Sequence, residues 1–440
     1  MRRLTLSSAL LVAAGLARVA AAQDSHYWTY GYGPIGQLTQ GTLVGGVNDL
    51  SATYYNPAAC ALIDRPRFVF NVTSFDFAQL QVKDAAGSGL DADQMVSRPV
   101  PAMLAFHIGP HEEGNHFAFA FLSRYESDFD LGYSASDVSE ASAVATAGYG
   151  RFKQRVLEYW VGGNWSRRVS RNVSVGLSPF FAYRGHRSRR SLAAEQLAPD
   201  LQRGAFVGIE NEYNHMRVLA KLGVAWRPGS WQLGANLTAP GFKVYSDGKT
   251  NFNATVASAS GTTLLAATTQ KGLDATYHAP WSVGVGATRR FDHSAVHATV
   301  EWFSAIDPYD ILLPAPAPVA GAGRSIPIQF RGEAASVVNF AVGFEHALGD
   351  ALRLYGGAAR NYSTYIPERD TFSPWDLTDV TAGVSVDRGR ARFALGLGYA
   401  WGTGELQQLV SPPDASGPPP TRSASYHRWR ISFGASFQND

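Results

Sequence analysis

The chain has 440 residues, a formal net charge of +2, one cysteine and 44 glycines, and 45% of its residues are hydrophobic. This apolar content excludes a disordered chain, and a single cysteine, Cys60, excludes a disulfide framework and any CxxC-type zinc or redox site. The near-neutral charge argues against a nucleic-acid binder, which presents a basic face. The length suits either two or three soluble domains or one large β-barrel.

The first 22 residues have the features of an export signal. Arg2 and Arg3 precede an apolar run at 4–17, and small residues follow at 20–22. A charged start, a short apolar core and a small-residue cleavage site predict a signal peptide over residues 1–22. The apolar run is shorter than the roughly 20 residues of a transmembrane helix, so an N-terminal membrane anchor is the less favoured alternative.

The next segment, residues 23–65, is rich in glycine and lacks regular alternation. It contains the tripeptide Asn56-Pro57-Ala58. Because Asn56 precedes a proline, its backbone is expected to be extended, which suits a sharp reversal of the chain.

From residue 66 onward, apolar and polar residues alternate with a period of two. The apolar sets include Val173, Val175, Leu177 and Phe181; Met216, Val218, Leu222, Val224 and Trp226; Val338, Phe340, Val342 and Phe344; and Trp429, Ile431, Phe433 and Phe437. This period predicts β-strands with one apolar face. In a soluble sandwich that face points inward, whereas in a membrane barrel it points toward lipid.

Short and long connections alternate along this region. Tight turns are predicted at 109–115, 170–171, 228–230, 292–294, 348–350 and 387–389, and long loops at 83–96, 128–149, 188–209, 249–269, 308–327, 366–372 and 404–421. Outer-membrane barrels have short periplasmic turns and long external loops. The pattern therefore predicts an all-β fold, a fourteen-stranded antiparallel transmembrane β-barrel over residues 66–440. Tryptophans at strand ends, such as Trp165 and Trp302, are expected to form interfacial girdles.

A barrel of this size leaves an interior to fill. Residues 23–65 are therefore expected to form a plug in the lumen, and a mobile periplasmic extension is the alternative.

Two runs near the start of the barrel, 49–58 and 64–68, resemble the N-terminal hatch of the FadL/TodX outer-membrane transport family. The resemblance implies a hatch that holds Asn56, Pro57 and Ala58, followed by fourteen strands. It implies passive uptake of long-chain fatty acids or aromatic hydrocarbons, without a cofactor. External loops would capture the ligand, a luminal site would bind it, and a kink in the third strand would release it sideways. Here that strand is expected at 116–124, where no glycine marks a kink.

The alternation assigns several side chains to the lumen. The residues expected to bind ligand are Trp160, Phe180, Leu219 and Phe303, which are apolar, and Arg217, Lys221 and Arg430, which are cationic. An unpaired cation suits a ligand with a carboxylate. The alternative is that luminal charges pair with one another, for example with Glu158, Glu301 or Glu345. The apolar loop 311–323 is expected either to help capture ligand or to pack between loops.

No nucleophile elbow, metal-binding HExxH or P-loop occurs in the sequence. His186, His278 and His427 near the loops lack a neighbouring serine or carboxylate pair in sequence. The favoured function is transport in the outer membrane of a Gram-negative bacterium; a structural or adhesion barrel and a rim-located hydrolase are the alternatives. The expected partners are a hydrophobic ligand, outer-membrane lipid and lipopolysaccharide, and the barrel-assembly machinery. A monomer without metal, cofactor or nucleic acid is expected.

Overall fold

The computed structural model describes residues 26–46, 49–63, 66–85, 91–109, 114–139, 144–198, 201–258, 261–366, 374–407 and 421–438. The predicted signal peptide, residues 1–22, lies outside the described residues. The same is true of the predicted loop at 366–372, apart from its first residue, and of the central parts of the loops at 83–96 and 404–421.

Strands dominate the described chain. Two α-helices of four residues, α1 (Gly33–Gly36) and α2 (Ala52–Tyr55), and one 3-10 helix (Pro57–Leu62) precede the first strand. The strands are β1 (Pro66–Val82), β2 (Ala92–Ile108), β3 (Asn115–Ser139), β4 (Val144–Arg168), β5 (Val173–Ala198), β6 (Leu201–Trp226), β7 (Trp231–Thr238), β8 (Phe242–Ser258), β9 (Gly261–Leu273), β10 (Ser282–Arg290), β11 (Ser294–Phe303), β12 (Ile306–Leu312), β13 (Ala317–Pro318), β14 (Ser325–Ile326), β15 (Phe330–Ala334), β16 (Val337–Ala347), β17 (Leu352–Asn361), β18 (Leu377–Arg388), β19 (Ala391–Gln407) and β20 (Thr421–Gln438). None of the helices in the described residues is long and apolar enough to cross a membrane.

Fourteen of these strands form one closed antiparallel ring. In ring order they are β1 to β7, β10, β11 and β16 to β20, and β20 pairs with β1 to complete the ring. Five of the six predicted tight turns join β4 to β5, β6 to β7, β10 to β11, β16 to β17 and β18 to β19. The sixth, predicted at 109–115, falls between β2 and β3, and its residues 110–113 lie outside the described residues. The predicted all-β, fourteen-stranded antiparallel barrel is confirmed.

The apolar face of the ring strands points outward. On β16 the outward residues Val338, Phe340, Val342 and Phe344 are 46–55% exposed. Asn339 and Glu345, on the inner face of the same strand, are buried. A soluble protein has the reverse distribution, so this outer surface is typical of a barrel that lies in lipid.

Several predicted loops are strands, which corrects the prediction. The loops expected at 128–149 and 188–209 are largely continuous hairpins, and the one at 249–269 is the β8–β9 hairpin, which pairs with β6. Their outward residues are often polar, as at Arg151 and Glu210, because these stretches extend past the apolar band. The alternation that identifies the remaining strands is therefore absent there.

The apolar loop 311–323 packs against other outer segments. Ile311 and Leu312 are 1% exposed and lie in a cluster with Tyr213 and Phe330. Ala317 is also buried, beside β6, β8 and β9. Of the two uses expected for this loop, these residues fit packing between loops.

Residues 26–63 contact the inner face of the ring at many positions. The hydrogen bonds include Gly33 N–H to Asn71 Oδ1 on β1 (2.9 Å), Tyr32 Oη–H to Ser123 O on β3 (2.9 Å), Asn164 Nδ2–H on β4 to Pro57 O (3.2 Å), Asn236 Nδ2–H on β7 to Tyr55 O (2.7 Å), Trp28 Nε1–H to Glu301 Oε2 on β11 (2.7 Å) and Thr381 Oγ1–H on β18 to Leu38 O (2.8 Å). These partners are distributed around the ring, so the segment is held from opposite sides.

Strand glycines make room for this segment. Those whose added Cβ would collide with it are Gly176, Gly223, Gly234, Gly286, Gly343, Gly357, Gly383, Gly396 and Gly434. A Cβ at Gly286 would lie 2.6 Å from Gly45 N, and one at Gly434 would lie 2.8 Å from Pro34 Cα. Glycine is required where two backbones approach this closely.

Gly357→Val is expected to loosen the segment. The new Cβ would lie 2.7 Å from the carbonyl carbon of Thr39, and such overpacking costs about 1–3 kcal/mol. Gly356→Val is the matched control, because its Cβ would meet nothing nearer than Thr381 O at 3.8 Å. A protease added to the purified protein should cleave the N-terminal segment faster in Gly357→Val alone; equal rates in both variants would contradict this.

Candidate functional site

A cavity lies between α2 and the inner face of the ring. Its apolar and aromatic lining includes Tyr27, Tyr54, Trp160, Leu219, Tyr277 and Phe303, and its charged lining includes Arg124, Glu158, Arg217, Lys221 and Glu301. It has room for a few water molecules.

Lys221 is a buried cation that has no carboxylate within ion-pair distance among the described residues, although the charge of Glu301 in the same cavity acts on it from farther away. Its side chain donates to Thr238 Oγ1 (3.1 Å), and its Nζ lies 4.6 Å from the centre of the Tyr54 ring. Lys221 is 2% exposed. Among the described residues, no carboxylate oxygen lies within 4.0 Å of its ammonium. Burying a charge is costly unless it is paired, so an anionic guest would be favoured here.

Arg124 is a second cation beside the same aromatic rings. Its guanidinium carbon lies 5.9 Å from the centre of the Tyr54 ring and 5.7 Å from that of Trp160. Burial raises the pKa of Tyr54 to about 12, so this phenol stays neutral at physiological pH. Tyr54 therefore contributes a neutral aromatic surface between two positive charges.

Glu158 already has two cationic partners. Its Oε1 accepts from Arg217 (2.6 Å) and its Oε2 from Arg184 (2.9 Å), and Trp160 Nε1–H also donates to it. Arg184 and Arg217 further lie over the ring of Tyr277, at 4.2 and 4.7 Å. Arg217 is thus paired, as the alternative interpretation of luminal charges expects.

Positive charge exceeds negative charge around the cavity. Its cations are Arg124, Arg184, Arg217 and Lys221, and its carboxylates are Glu158 and Glu301. Glu301 accepts hydrogen bonds from Trp28 Nε1 (2.7 Å) and Ser282 Oγ (2.8 Å) and forms no ion pair with a described residue. This imbalance in a buried region favours an anionic group on a guest.

Five of the seven residues predicted to bind ligand line this cavity: Trp160, Arg217, Leu219, Lys221 and Phe303. Phe180 lies behind Trp160, with ring centres 5.4 Å apart. Arg430 lies in a neighbouring cavity, donates to Thr29 O (2.6 Å) and is 3.8 Å from Asp76. Ligand binding by these residues stays a prediction.

Sequence reasoning missed Arg124, Tyr54 and Tyr277. Arg124 follows the apolar face of the third strand, where the alternation gave it no clear side. Tyr54 belongs to the glycine-rich segment and Tyr277 to the stretch before β10, and neither has a periodic pattern that would assign it to the lumen.

The motif Asn56-Pro57-Ala58 joins the N-terminal segment to the wall. Asn56 has an extended backbone (φ −154°, ψ 98°), as expected before a proline, and Pro57 starts the 3-10 helix. The Asn56 amide donates to Val44 O (3.0 Å) and Val224 O (2.9 Å), and its oxygen accepts from Ala58 N–H (3.2 Å). One side chain thus connects two parts of the segment to β6.

The ladder between β2 and β3 stops partway along the barrel. Pairing extends from Ile108 and Phe117 to Met103 and Leu122, and no pairing of these two strands follows in the described residues. At this point the β3–β4 register shifts around Arg124, which forms a bulge. The third strand therefore has a bulge here, at a position without a glycine.

Side chains replace the missing ladder. The freed β3 backbone oxygens of Ser123, Arg124, Glu126 and Asp128 accept from Tyr32 (2.9 Å), Thr29 (2.7 Å), Tyr30 (3.3 Å) and Gln94 (3.4 Å), in that order. Three of these donors belong to the N-terminal segment. A second cavity, lined partly by Val96 and Phe129, adjoins this break.

The fold is shared with solved bacterial channels. A Pseudomonas aeruginosa FadL homologue aligns with a TM-score of 0.63 and 13% identity, over 94% of this chain and 99% of that one. The P. putida toluene transporter TodX aligns with a TM-score of 0.59 and 15% identity, over 93% of this chain and 99% of that one. The monoaromatic hydrocarbon channel CymD aligns with a TM-score of 0.59 and 14% identity, over 93% of this chain and 98% of that one.

No protein-family model matches the chain, and no curated protein sequence matches it. The similarity is therefore one of structure, across nearly the full length of both chains. The chain has the barrel fold of the FadL and TodX structures, as its N-terminal motif and strand pattern predicted.

Proposed function

We propose that the protein is an outer-membrane channel of a Gram-negative bacterium for the passive uptake of hydrophobic molecules that carry a carboxylate. The observation that carries the proposal is Lys221, which is buried in a cavity with Tyr54, Trp160 and Leu219 and has no described carboxylate within ion-pair distance. Aromatic and aliphatic surface suits an apolar chain, and the ammonium suits its charged end. The shared fold with transporters of hydrophobic compounds supports the same function.

In this proposal residues 23–65 plug the lumen. Their described part contacts strands all around the ring and meets a series of wall glycines. The side chains of an eight-stranded barrel already fill its interior. A fourteen-stranded ring is wider, so without such a segment it would leave a water-filled opening. The plug would stop polar solutes while a hydrophobic ligand passes by another path.

That path would leave the barrel sideways between β2 and β3. The ladder is absent above Met103 and Leu122, so no backbone hydrogen bonds between these strands need to break there. The ligand would move from the outer segments to the Lys221 cavity and then to this break. It would leave the barrel within the membrane and so avoid water.

The uptake test compares cells with and without the gene, supplied with labelled oleate and labelled toluene. We expect faster oleate uptake in cells that carry the protein, because only oleate has the charged end that Lys221 would bind. Equal uptake of both compounds in both strains would count against transport and favour a structural or adhesion role.

A cross-link between β2 and β3 is expected to stop uptake. Val96→Cys and Phe129→Cys place thiols on opposite sides of the break, and a short cleavable thiol cross-linker would then join the strands. The native Cys60 is buried, and burial raises the pKa of its thiol, so it should not react.

The matched control for this cross-link is the pair Phe106→Cys and Phe119→Cys, which face each other where the ladder is intact. Joining that pair should leave uptake unchanged. Full uptake with the Val96–Phe129 cross-link in place would rule out lateral release through this break.

The histidine geometry does not favour a hydrolase. Thr288 Oγ1 lies 2.9 Å from His297 Nδ1, and His297 Nε2 lies 3.8 Å from Glu345. Thr288 is 0% exposed, and a Cβ on Gly46 would lie 2.6 Å from its hydroxyl. A substrate therefore cannot reach this hydroxyl while the N-terminal segment is in place.

A further inference from the structure

A group of cations lies on the outward face of β4 and β5, toward their loop ends. Lys153 and Arg155 on β4 are the direct ladder partners of Arg189 and Arg187 on β5. All four side chains are exposed. Like charges directly opposite each other in an antiparallel pair destabilise it, so two such neighbouring pairs require nearby negative charge.

Acidic residues on the flanking strands satisfy two of these cations. Asp130 on β3 accepts from Lys153 Nζ (3.0 Å), and Glu210 on β6 accepts from Arg187 Nε (2.7 Å). These ion pairs direct Lys153 toward β3 and Arg187 toward β6. The centre is thereby left to the other two cations.

Arg155 and Arg189 have no ion-pair partner among the residues that the structure describes. Asp128 and Glu210 lie opposite them in the ladders, yet neither arginine forms an ion pair within 4.0 Å or a hydrogen bond with a residue that the structure describes, although the charge of Arg189 acts on the Glu210 carboxylate from farther away. The two arginines are diagonal neighbours, whose Cα atoms lie about 7–8 Å apart. Both guanidinium groups can therefore reach one tetrahedral anion between them.

The position of the group indicates which anion. Directly below it, the outward face continues with Leu157, Tyr159 and Val161. Arg155 is ten residues from Trp165 at the turn end, which is about 33 Å along a strand and about 25 Å along the membrane normal at the usual tilt. That is the height of the apolar band of such barrels. The cations thus lie where lipid headgroups begin.

We propose that Arg155 and Arg189, assisted by Lys153 and Arg187, bind a phosphate group of a phosphorylated glycolipid in the outer leaflet. Arginine binds phosphate with two parallel hydrogen bonds, and the acyl chains would lie along Leu157 and below. Because the cations lie directly above an apolar face, the surface favours a lipid over free phosphate. The proposal rests on the outer-membrane placement given above and goes beyond transport.

The test measures binding of diphosphoryl lipid A to the full-length protein in detergent by native mass spectrometry. Arg155→Gln with Arg189→Gln is expected to weaken binding about tenfold or more, as the loss of one charge-assisted contact predicts. The matched control is Arg324→Gln with Arg388→Gln, which removes the same charge from exposed positions away from this group. Arg155→Lys with Arg189→Lys keeps the charge and should restore part of the affinity.

Lipid A stripped of its phosphates should bind the native protein as weakly as diphosphoryl lipid A binds the Gln variant, and inorganic phosphate at millimolar concentration should not compete. Equal binding of lipid A by native and Gln proteins, or full competition by inorganic phosphate, would overturn the site. Oleate uptake by the Gln variant in vesicles without lipid A should be unchanged. If the native protein takes up no oleate in these vesicles but still binds lipid A, the transport proposal is rejected and the lipid A site is retained.

Discussion

Deletion of residues 23–60 is expected to convert the protein into an open pore for small polar solutes. The described part of this segment is buried and contacts the inner face of the ring through Asn71, Asn236 and Glu301 among others. A fourteen-stranded ring lies between the eight strands that side chains fill and the sixteen that leave an aqueous channel. Single-channel conductance in planar bilayers should therefore rise from near zero to a stable open level.

A milder variant tests the same point without removing the segment. Asn56→Ala loses the hydrogen bonds to Val44 O and Val224 O and should give brief openings. Asn172→Ala, at an exposed turn, is the matched control and should stay closed. Conductance unchanged by the deletion, in protein whose barrel still shows the usual heat-dependent gel shift, would reject the plug.

Lys221→Met is expected to separate carboxylate ligands from neutral ones. Removing one member of a buried charge pair costs about 2–5 kcal/mol, so oleate affinity should fall at least about thirtyfold. Toluene binding should not change, because it makes no use of the ammonium. Without ligand, the Lys221→Met variant should also unfold at a higher temperature, because it removes a buried charge that has no described carboxylate within ion-pair distance. Ligand titration and thermal unfolding in detergent measure both effects.

Lys243→Met is the matched control for this substitution. Lys243 lies on the outer hairpin and forms an ion pair with Asp274 (2.7 Å). The Lys243→Met substitution should leave oleate binding unchanged. An equal loss of oleate and toluene binding in Lys221→Met would mean that the lysine only shapes the cavity, and no loss of either would remove it from the site.

The strand pattern was predictable wherever one face is apolar and the other is not. β16 shows this pattern, because Val338 and Phe344 are exposed and Asn339 is buried. The first and last residues of this strand could be placed approximately from the sequence. The outer hairpins were missed because both faces carry polar residues there, for example at Arg151. Period-two alternation identifies a strand only where the two faces meet different surroundings.

The site was only partly predictable, for a related reason. Alternation placed Trp160, Leu219 and Lys221 on the inner face, and the structure brings them to one cavity. The sequence has no signal for ion pairing between strands distant in sequence, so Arg217 and Lys221 looked alike although Glu158 binds only the first. Arg124 was missed because a bulge breaks the period at that residue.

The most direct test of the account is photolabelling with a fatty acid that carries a diazirine on its chain, followed by peptide mapping. We expect labels on the peptides around Tyr54, Trp160 and Leu219 that excess oleate removes, and a large decrease of these labels in Lys221→Met. Labels confined to outward residues such as Phe340, with none that oleate removes, would contradict a ligand site inside the barrel.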